Sequence, residues 1–338
     1  MDNIVKWHSF WDPLVLMHPL RPLVNWYNGR IANNWIQNEL QQRYETLKHD
    51  RQSVTVTNKR RAKSVLDLAI EGYIDSIRGA TPPSLDPDFM RTATHQIRLF
   101  LFAGNDSTSS SIVFAFHLLS KNPRVLAQLH AEHDEVFGED VSSTARLIKD
   151  DPSLLNRCKL TLAVVKETLR LYAPAATMRT GNRECFLTTR SGVSLPTNGC
   201  AILMSHHAMH RNARLWPRPE EFLPERWLVG PEHELFPQQG AWRPFELGPR
   251  NCIGQTLAMT EMKIVLAMTA RRFEIKPAYE DFDEMKTMND GWAKRLARGV
   301  GFGDKKTGMY RGDRAYQTEK AGAHPSGGYP CRVSALRR

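Results

Sequence analysis

A mainly α-helical fold with small β-sheets is predicted, and three observations in the sequence predict it. Long stretches of helical periodicity are opened and closed by proline-containing caps, short β-candidates are cut apart by glycine and proline, and one segment rich in proline and aromatics has no period at all. Residues 1–85 read as helices that precede a central one. Thr81-Pro82-Pro83-Ser84 then breaks the chain, and Asp86-Pro87 supplies an N-cap followed by proline at the first helical position. No further proline occurs before Pro123, so one helix is predicted over 87–120. At about 1.5 Å per residue it runs on the order of 50 Å, enough to cross a whole domain.

Asn122-Pro123 is expected to cap the next helix, with Val125, Leu126, Leu129, Val136 and Phe137 apolar and Gly138 placed to end it. A third helix is expected from Leu155 to Tyr172, stopping before Pro174, and a fourth over 255–272. Between them Cys185-Phe-Leu-Thr, Val193-Ser-Leu and Ala201-Ile-Leu-Met, separated by Gly192, Pro196 and Gly199, suggest small hairpins. From Trp216 to Pro244 the chain reads as an irregular meander pinned by side chains. The tail from Asp304 onward is polar and Gly-rich, with a last hairpin ending near Val333.

The 338 residues, 41% hydrophobic and 24% charged, exclude a disordered chain and suffice for one large domain or two modest ones. Net charge is +10, densest at Lys59-Arg60-Arg61-Ala-Lys63. No aromatics interleave with that run as base stacking requires, so no nucleic-acid partner is inferred and a solvated helix start is the reading. The cysteines Cys158, Cys185, Cys200, Cys252 and Cys331 are odd in number, scattered and without a Cys-x-x-Cys pair, which argues against a disulfide framework. No apolar run reaches the roughly 18 residues that span a bilayer. Trp7, Phe10, Trp11, Leu14, Val15, Leu16 and Met17 form an apolar patch that either packs internally or makes peripheral contact with a membrane.

Phe245-Glu-Leu-Gly248-Pro-Arg250-Asn-Cys252-Ile-Gly254 is the most informative stretch. It places one cysteine in a glycine-punctuated loop directly before an apolar helix-forming run. Unpaired N–H groups and the partial positive charge of a helix start favour a thiolate there, and a thiolate ligates metals. Gly248 and Gly254 let the backbone approach a flat, bulky partner, and Arg250 adds a fixed cation. A second polar interruption lies inside the central helix, where Ala103-Gly104-Asn105-Asp106-Ser107-Thr108 follows the apolar run 99–102. Gly104 costs about 1 kcal/mol of helix propensity and the hydroxyls bond back to earlier carbonyls, so a bend or widening is expected here. An acid and two hydroxyls in such a groove can bind dioxygen and pass protons to it.

The cysteine stretch resembles the haem-binding loop of the cytochromes P450, Phe-x-x-Gly-x-Arg-x-Cys-x-Gly, met at Phe245, Gly248, Arg250, Cys252 and Gly254. The helical stretch is similar to that family's oxygen-activating segment, with Ser107 standing where Thr is usual. Glu167-Thr-Leu-Arg170 and Pro224-Glu-Arg226-Trp227 look like its Glu-x-x-Arg and Pro-Glu-Arg-Phe elements, with Trp for Phe. The resemblance implies the C-terminal portion of the P450 fold and heme b (iron protoporphyrin IX, haem hereafter) as cofactor. Cys252 is then the axial thiolate, Arg250 holds a propionate, and Phe245, Gly248 and Gly254 shape the loop. A second propionate ligand is Arg179, with Arg183 as competitor. Asp106 and Ser107 are assigned to proton delivery with Thr108 as support, and Glu167 lies buried between Arg170 and Arg226. His210 is read as structural, and His130 and His133 as exposed rather than a metal face.

By the same resemblance the activity is insertion of one oxygen atom from dioxygen into an apolar small molecule, plausible in fungal secondary metabolism. The implied partner is NADPH-cytochrome P450 reductase, and the implied location is the cytoplasmic face of the endoplasmic reticulum, or the cytoplasm for a chain without an anchor. Leu101, Phe102 and Met178 are candidates to line an apolar pocket. The organisation expected is a single P450-like domain shortened at its N-terminus. Its parts are 1–85, the central helix 86–120, helices, sheets and meander 121–244, the cysteine loop and helix 245–273, and the hairpin and tail 274–338. Trp26-Tyr-Asn-Gly-Arg30 matches a propionate-binding helix by letters but stands too close to the central helix to be it. Gly299-Val-Gly301-Phe-Gly303 is not a dinucleotide fingerprint, since no strand precedes it. Two alternatives remain, an inactive haem-binding remnant and a basic interaction module with Cys252 merely buried.

Overall fold

Proline and hydrogen-bonding caps set the helix boundaries in the computed structural model, which describes residues 13–52, 63–77, 82–288, 308–320 and 322–336. The basic run at 59–62, the aromatic start at 7–11 and the glycines at 299–303 lie outside them. Tertiary contacts divide the chain into two compact units, Met1–Asn105 and Asp106–Arg338.

The first unit holds α1 (Pro13–Leu16), α2 (Arg21–Gln52), α3 (Val65–Ser76) and the start of α4 (Pro87–Lys121). Ser64 and Asp67 form a capping box at the head of α3, each side chain bonding the other's backbone N–H. Asp86 caps α4 as expected, its Oδ2 accepting the N–H groups of Asp88 and Phe89, both at 3.0 Å. Ile36, Leu40 and Tyr44 of α2 form this unit's core with Ile70 and Ile74 of α3. Arg30 lies 5.6 Å above the ring of its own helix neighbour Trp26.

The second unit continues α4 and adds α5 (Pro123–Phe137), α6 (Thr144–Asp150), α7 (Lys159–Leu171), β1 (Thr177–Thr180), β2 (Phe186–Thr188), β3 (Ser194–Pro196), β4 (Ala201–Met204) and α8 (His206–Met209). After the meander come α9 (Gln255–Thr269), β5 (Phe273–Pro277), α10 (Tyr279–Met288), β6 (Gln317–Lys320), β7 (Gly322–Pro325) and β8 (Cys331–Ala335). Among the described residues the sheets are antiparallel pairs, β1 with β4, β2 with β3, β5 with β8 and β6 with β7. Val333 therefore lies in a strand on β5, and the last hairpin ends at Pro325. Gly181, next to β1, is a close approach: a Cβ there would lie 1.9 Å from the carbonyl oxygen of Thr197.

Local bonding corrects three expectations. Asn122 makes no side-chain cap for α5, because its Nδ2 donates to Leu118 O at 2.7 Å and closes the end of α4 instead. The third helix begins at Lys159, since Pro152–Asn156 forms a separate 3₁₀ turn. His133 is fully buried rather than exposed, its Nε2 paired with Thr161 Oγ1 at 2.8 Å, and His130 Nε2 meets Ala270 O at 2.8 Å. Burial and the nearby Arg271 hold the His133 imidazole at about 3, well below its ordinary value.

One core organises this unit. Ala115, Leu118 and Leu119 of α4 pack with Val164, Val165 and Leu169 of α7, Phe222 of the meander and Met262 and Leu266 of α9. Burying each such side chain contributes roughly 1.5–3 kcal/mol. Ile112, Trp242, Phe245 and Met259 pack on its margin, so the end of the meander and the start of α9 are anchored to α4. Among the described residues no helix is long and apolar enough to cross a membrane.

Candidate active site

Glu167 and Arg170 stand one helical turn apart on α7, which lets a carboxylate and a guanidinium face the same way. Arg170 Nε donates to Glu167 Oε2 at 3.0 Å and Nη2 to Oε1 at 2.8 Å. Arg226 Nε reaches the same Oε1 at 3.1 Å. Trp227 Nε1 donates to Oε2 and the backbone N–H of Leu223 to Oε1, both at 3.1 Å. All three charged side chains are 0% exposed, so each hydrogen bond offsets desolvation. Burial drives the Arg226 guanidinium below its ordinary value, and Glu167 pulls it back up. Arg170 Nη1 also holds the carbonyls of His210 at 2.8 Å and Pro219 at 2.7 Å, fixing the meander to α7.

Sequence reasoning missed how the indoles support this cluster. Trp216, Trp227, Trp242 and Phe245 form a ladder of rings with successive centroids 6.0, 5.5 and 6.1 Å apart. Trp242 Nε1 donates to Lys166 O at 3.1 Å, and the Lys166 ammonium lies 5.3 Å above Trp227. The exchange of Phe for Trp at position 227 thus adds a donor to the triad. His210 is buried, accepts the Arg243 backbone N–H on Nε2 at 2.9 Å, and is held at about 3 by burial first and by His206 second. That fits its structural reading.

The ladder ends where the cysteine loop begins. Phe245 O accepts the Cys252 N–H at 2.8 Å and Gly248 O accepts the Asn251 N–H at 3.0 Å, closing the loop. Gly248 has φ +82°, open to glycine without strain, and Glu246 takes φ +60°. Glu246 was not foreseen. Its carboxylate is buried and receives His206 Nε2 at 2.7 Å, Arg243 Nη2 at 2.6 Å and the Leu247 N–H at 3.2 Å. Burial opposes its ionisation, but these donors outweigh it and hold the carboxyl at about 2. His206 Nδ1 meets Ala175 O at 2.9 Å, linking the loop to the chain just before β1.

Cys252 lies two residues before Gly254, the N-cap residue of α9, so it precedes the first turn rather than occupying it. It is exposed, which overturns the reading of Cys252 as a merely buried residue. Ile253 beside it is 86% exposed and Leu257 69%. A Cβ on Gly254 would lie 3.8 Å from the sulfur, an ordinary contact distance. Arg250 is exposed on the same loop, while Arg179 is exposed on β1 with Nη1 turned to Met178 O at 3.0 Å; Arg183 is exposed as well. Met178 is exposed too. The donor set on this loop is one soft sulfur, an apolar flank and the Arg250 guanidinium.

The helix containing Asp106, Ser107 and Thr108 is α-helical throughout, without the expected widening. Ser111 Oγ bonds Ser107 O at 2.9 Å and Ser109 Oγ bonds Asp106 O at 3.1 Å, so the hydroxyls bond along the helix without breaking it. Thr108 is buried, and Asp106 and Ser107 are half-buried. Asp106 Oδ1 lies 2.8 Å from His324 Nε2 on β7, a partner no sequence spacing announces. Leu101 and Phe102, earlier in the same helix, are exposed. Among the described residues no group of three or more His, Cys, Asp or Glu side chains is placed to hold a metal ion by itself.

The comparisons with known proteins agree with one another. The family described as cytochrome P450 matches residues 1–296. A cytochrome P450 monooxygenase, polC, of Polytolypa hystricis is 41% identical over 326 residues, 96% of this chain and 54% of its own length. Cytochrome P450 monooxygenase acrF of Aspergillus aculeatus is 32% identical over 333 residues, 93% of this chain and 63% of its own. The chain therefore spans between about half and two thirds of the length of these relatives. Among solved structures, a cytochrome P450 (CYP102L1) superposes with TM-score 0.61 at 20% identity, over 97% of this chain and 60% of that one, a likeness of fold.

Proposed function

This chain belongs to the cytochrome P450 family, and from that premise we propose that it is a haem-thiolate monooxygenase inserting one oxygen atom from dioxygen into an apolar small molecule. The family implies haem with a cysteine thiolate ligand, and the exposed face around Cys252 fits that group on chemical grounds. A soft sulfur suits iron, Ile253 and Leu257 offer an apolar flank to a porphyrin, and guanidinium groups match propionates. The observation that carries the reading is the exposure of Cys252 on a loop closed behind it.

In this proposal Cys252 would supply the thiolate that holds the haem iron, Arg250 and either Arg179 or Arg183 would hold propionates, and Phe245, Gly248 and Gly254 give the loop its shape. Haem held in this way would supply dioxygen activation. The chain's own residues supply the rest. Asp106 holds a proton on its carboxyl and releases it toward the hydroxyl of Ser107, with Thr108 fixing the helix turn behind them. Glu167, Arg170 and Arg226 lock the meander so that the loop keeps its geometry. NADPH-cytochrome P450 reductase provides the two electrons, and the fungal relatives support a place in secondary metabolism.

The test is spectroscopic. The chain loaded with haem and reduced under carbon monoxide is expected to give the thiolate-type absorption band, and Cys252→Ser to lose it. A thiolate band retained in Cys252→Ser removes Cys252 from the assignment. NADPH consumption with the reductase then measures turnover.

A further inference from the structure

We propose that His324 is the positioning residue for Asp106, an inference that rests on the proton-delivery reading of that carboxylate. His324 Nε2 lies 2.8 Å from Asp106 Oδ1 although 218 positions separate them in sequence. With Asp106 ionised, the imidazole N–H donates to the carboxylate, a charge-assisted bond that selects one side-chain rotamer. Oδ1 is then engaged, and Oδ2 is left to take up and release the proton.

The backbone that carries the imidazole is itself held in place from several sides. Thr318 Oγ1 donates to His324 O at 2.9 Å across the β6–β7 pair. The neighbouring residue is fastened at both ends: the Ala323 N–H donates to Pro174 O at 3.0 Å, and Ser110 Oγ donates to Ala323 O. Ser110 stands one helical turn after Asp106, on the same face of α4. Gln317 Nε2 adds a bond to Ala173 O at 2.7 Å. The hairpin is therefore docked at the acid's own turn of the helix, and β7 delivers the ring to the carboxylate. The Asp106 side chain is 14% exposed and that of His324 28%, so the bond is partly shielded and worth more than a surface pair.

The substitutions His324→Ala and His324→Gln separate the role from mere packing. The glutamine side chain keeps an N–H donor without the imidazole. The haem-loaded variants are compared with NADPH, the reductase and dioxygen, with no organic substrate added. Under these conditions dioxygen takes two electrons and two protons to peroxide, or four of each to two waters, and proton delivery decides the partition. His324→Ala is expected to keep the thiolate band while the rate of water formation falls about tenfold and peroxide rises, the size of one lost charged hydrogen bond. His324→Gln is expected to restore most of it, and His324→Ala to add nothing to Asp106→Asn.

An unchanged peroxide share in His324→Ala with the band intact overturns the proposal. So does failure of His324→Gln to restore the partition, because the ring and not its N–H is then what matters. A readout independent of haem is ¹⁵N NMR of histidine-labelled chain, where the His324 signal is assigned as the one lost in His324→Gln. It is expected to show the proton on Nε2 and to shift in Asp106→Ala; indifference to Asp106→Ala overturns the contact. Should wild-type protein show no thiolate band, the haem-thiolate reading fails while this NMR arm still judges the pair.

Discussion

The Glu167 triad and the cysteine loop lie in the same unit and share one core, yet they are opposites. Around Glu167 both carboxylate oxygens are engaged by donors and all three charged side chains are sealed from water. Around Cys252 the backbone is bonded but the thiol and its apolar neighbours face outward. The first has its carboxylate fully engaged by donors of the chain itself, with only Nη1 of Arg226 left without a partner among the described residues; the second leaves its thiol open to whatever is laid against it. A buried carboxylate engaged on both oxygens marks a brace, and a loop presenting a lone soft donor amid exposed apolar side chains marks a seat.

Substitution can break that contrast, and the largest effect is expected at the seat. Cys252→Ser is expected to abolish the thiolate band while changing unfolding free energy by less than about 0.5 kcal/mol, because the side chain is exposed. A large loss of stability measured by urea unfolding would instead make Cys252 part of the brace. Glu167→Ala should do the reverse, costing about 3–5 kcal/mol in the same assay by stranding two buried guanidinium groups. A loss under about 1 kcal/mol would show that the triad does not brace the meander.

A pH series sharpens the comparison next. His133 and His210 are held at about 3 against an ordinary 6.5, so they stay neutral in the folded chain where the unfolded chain binds protons. Their stability contribution is full above about 6.5 and is lost as pH falls toward 3. Glu246, at about 2 against an ordinary 4.5, adds a second loss below about 4.5. Thermal midpoints are expected to fall across the first window in wild type, with a shallower slope in His210→Gln. Gly248→Ala is expected to have a smaller effect on stability than Glu167→Ala. A Cβ there meets nothing within 4 Å, so only the φ of +82° resists it, about 1 kcal/mol by urea unfolding. A cost near 3 kcal/mol would mean that the loop tolerates no backbone adjustment.

Features carried by local spacing were legible in the sequence. Proline-bounded helices read well because proline fixes both its own φ and its predecessor's conformation, and Asp86 caps α4 as its position suggests. Glu167 and Arg170 declared themselves at one turn's separation. What stayed hidden depends on chain segments far apart: β8 on β5, His206 on Glu246, His324 on Asp106. His133 was legible and overlooked, since Val125, Leu129, His133 and Phe137 recur every fourth residue and share one buried face of α5. The capping box at Ser64 and Asp67 was likewise present in the letters. The widening expected near Gly104 did not occur, because hydroxyls that bond along a helix satisfy themselves without opening it.

The indole ladder gives this chain an internal reporter. Trp216, Trp227 and Trp242, three of its eight tryptophans, make tilted and edge-on ring contacts in a row that ends on Phe245, the first residue of the cysteine loop. Their fluorescence should redden when the meander detaches and dim by energy transfer when a strongly coloured porphyrin settles on the loop. A single titration followed by emission can thus test cofactor uptake and register loosening of the scaffold, with no substrate present.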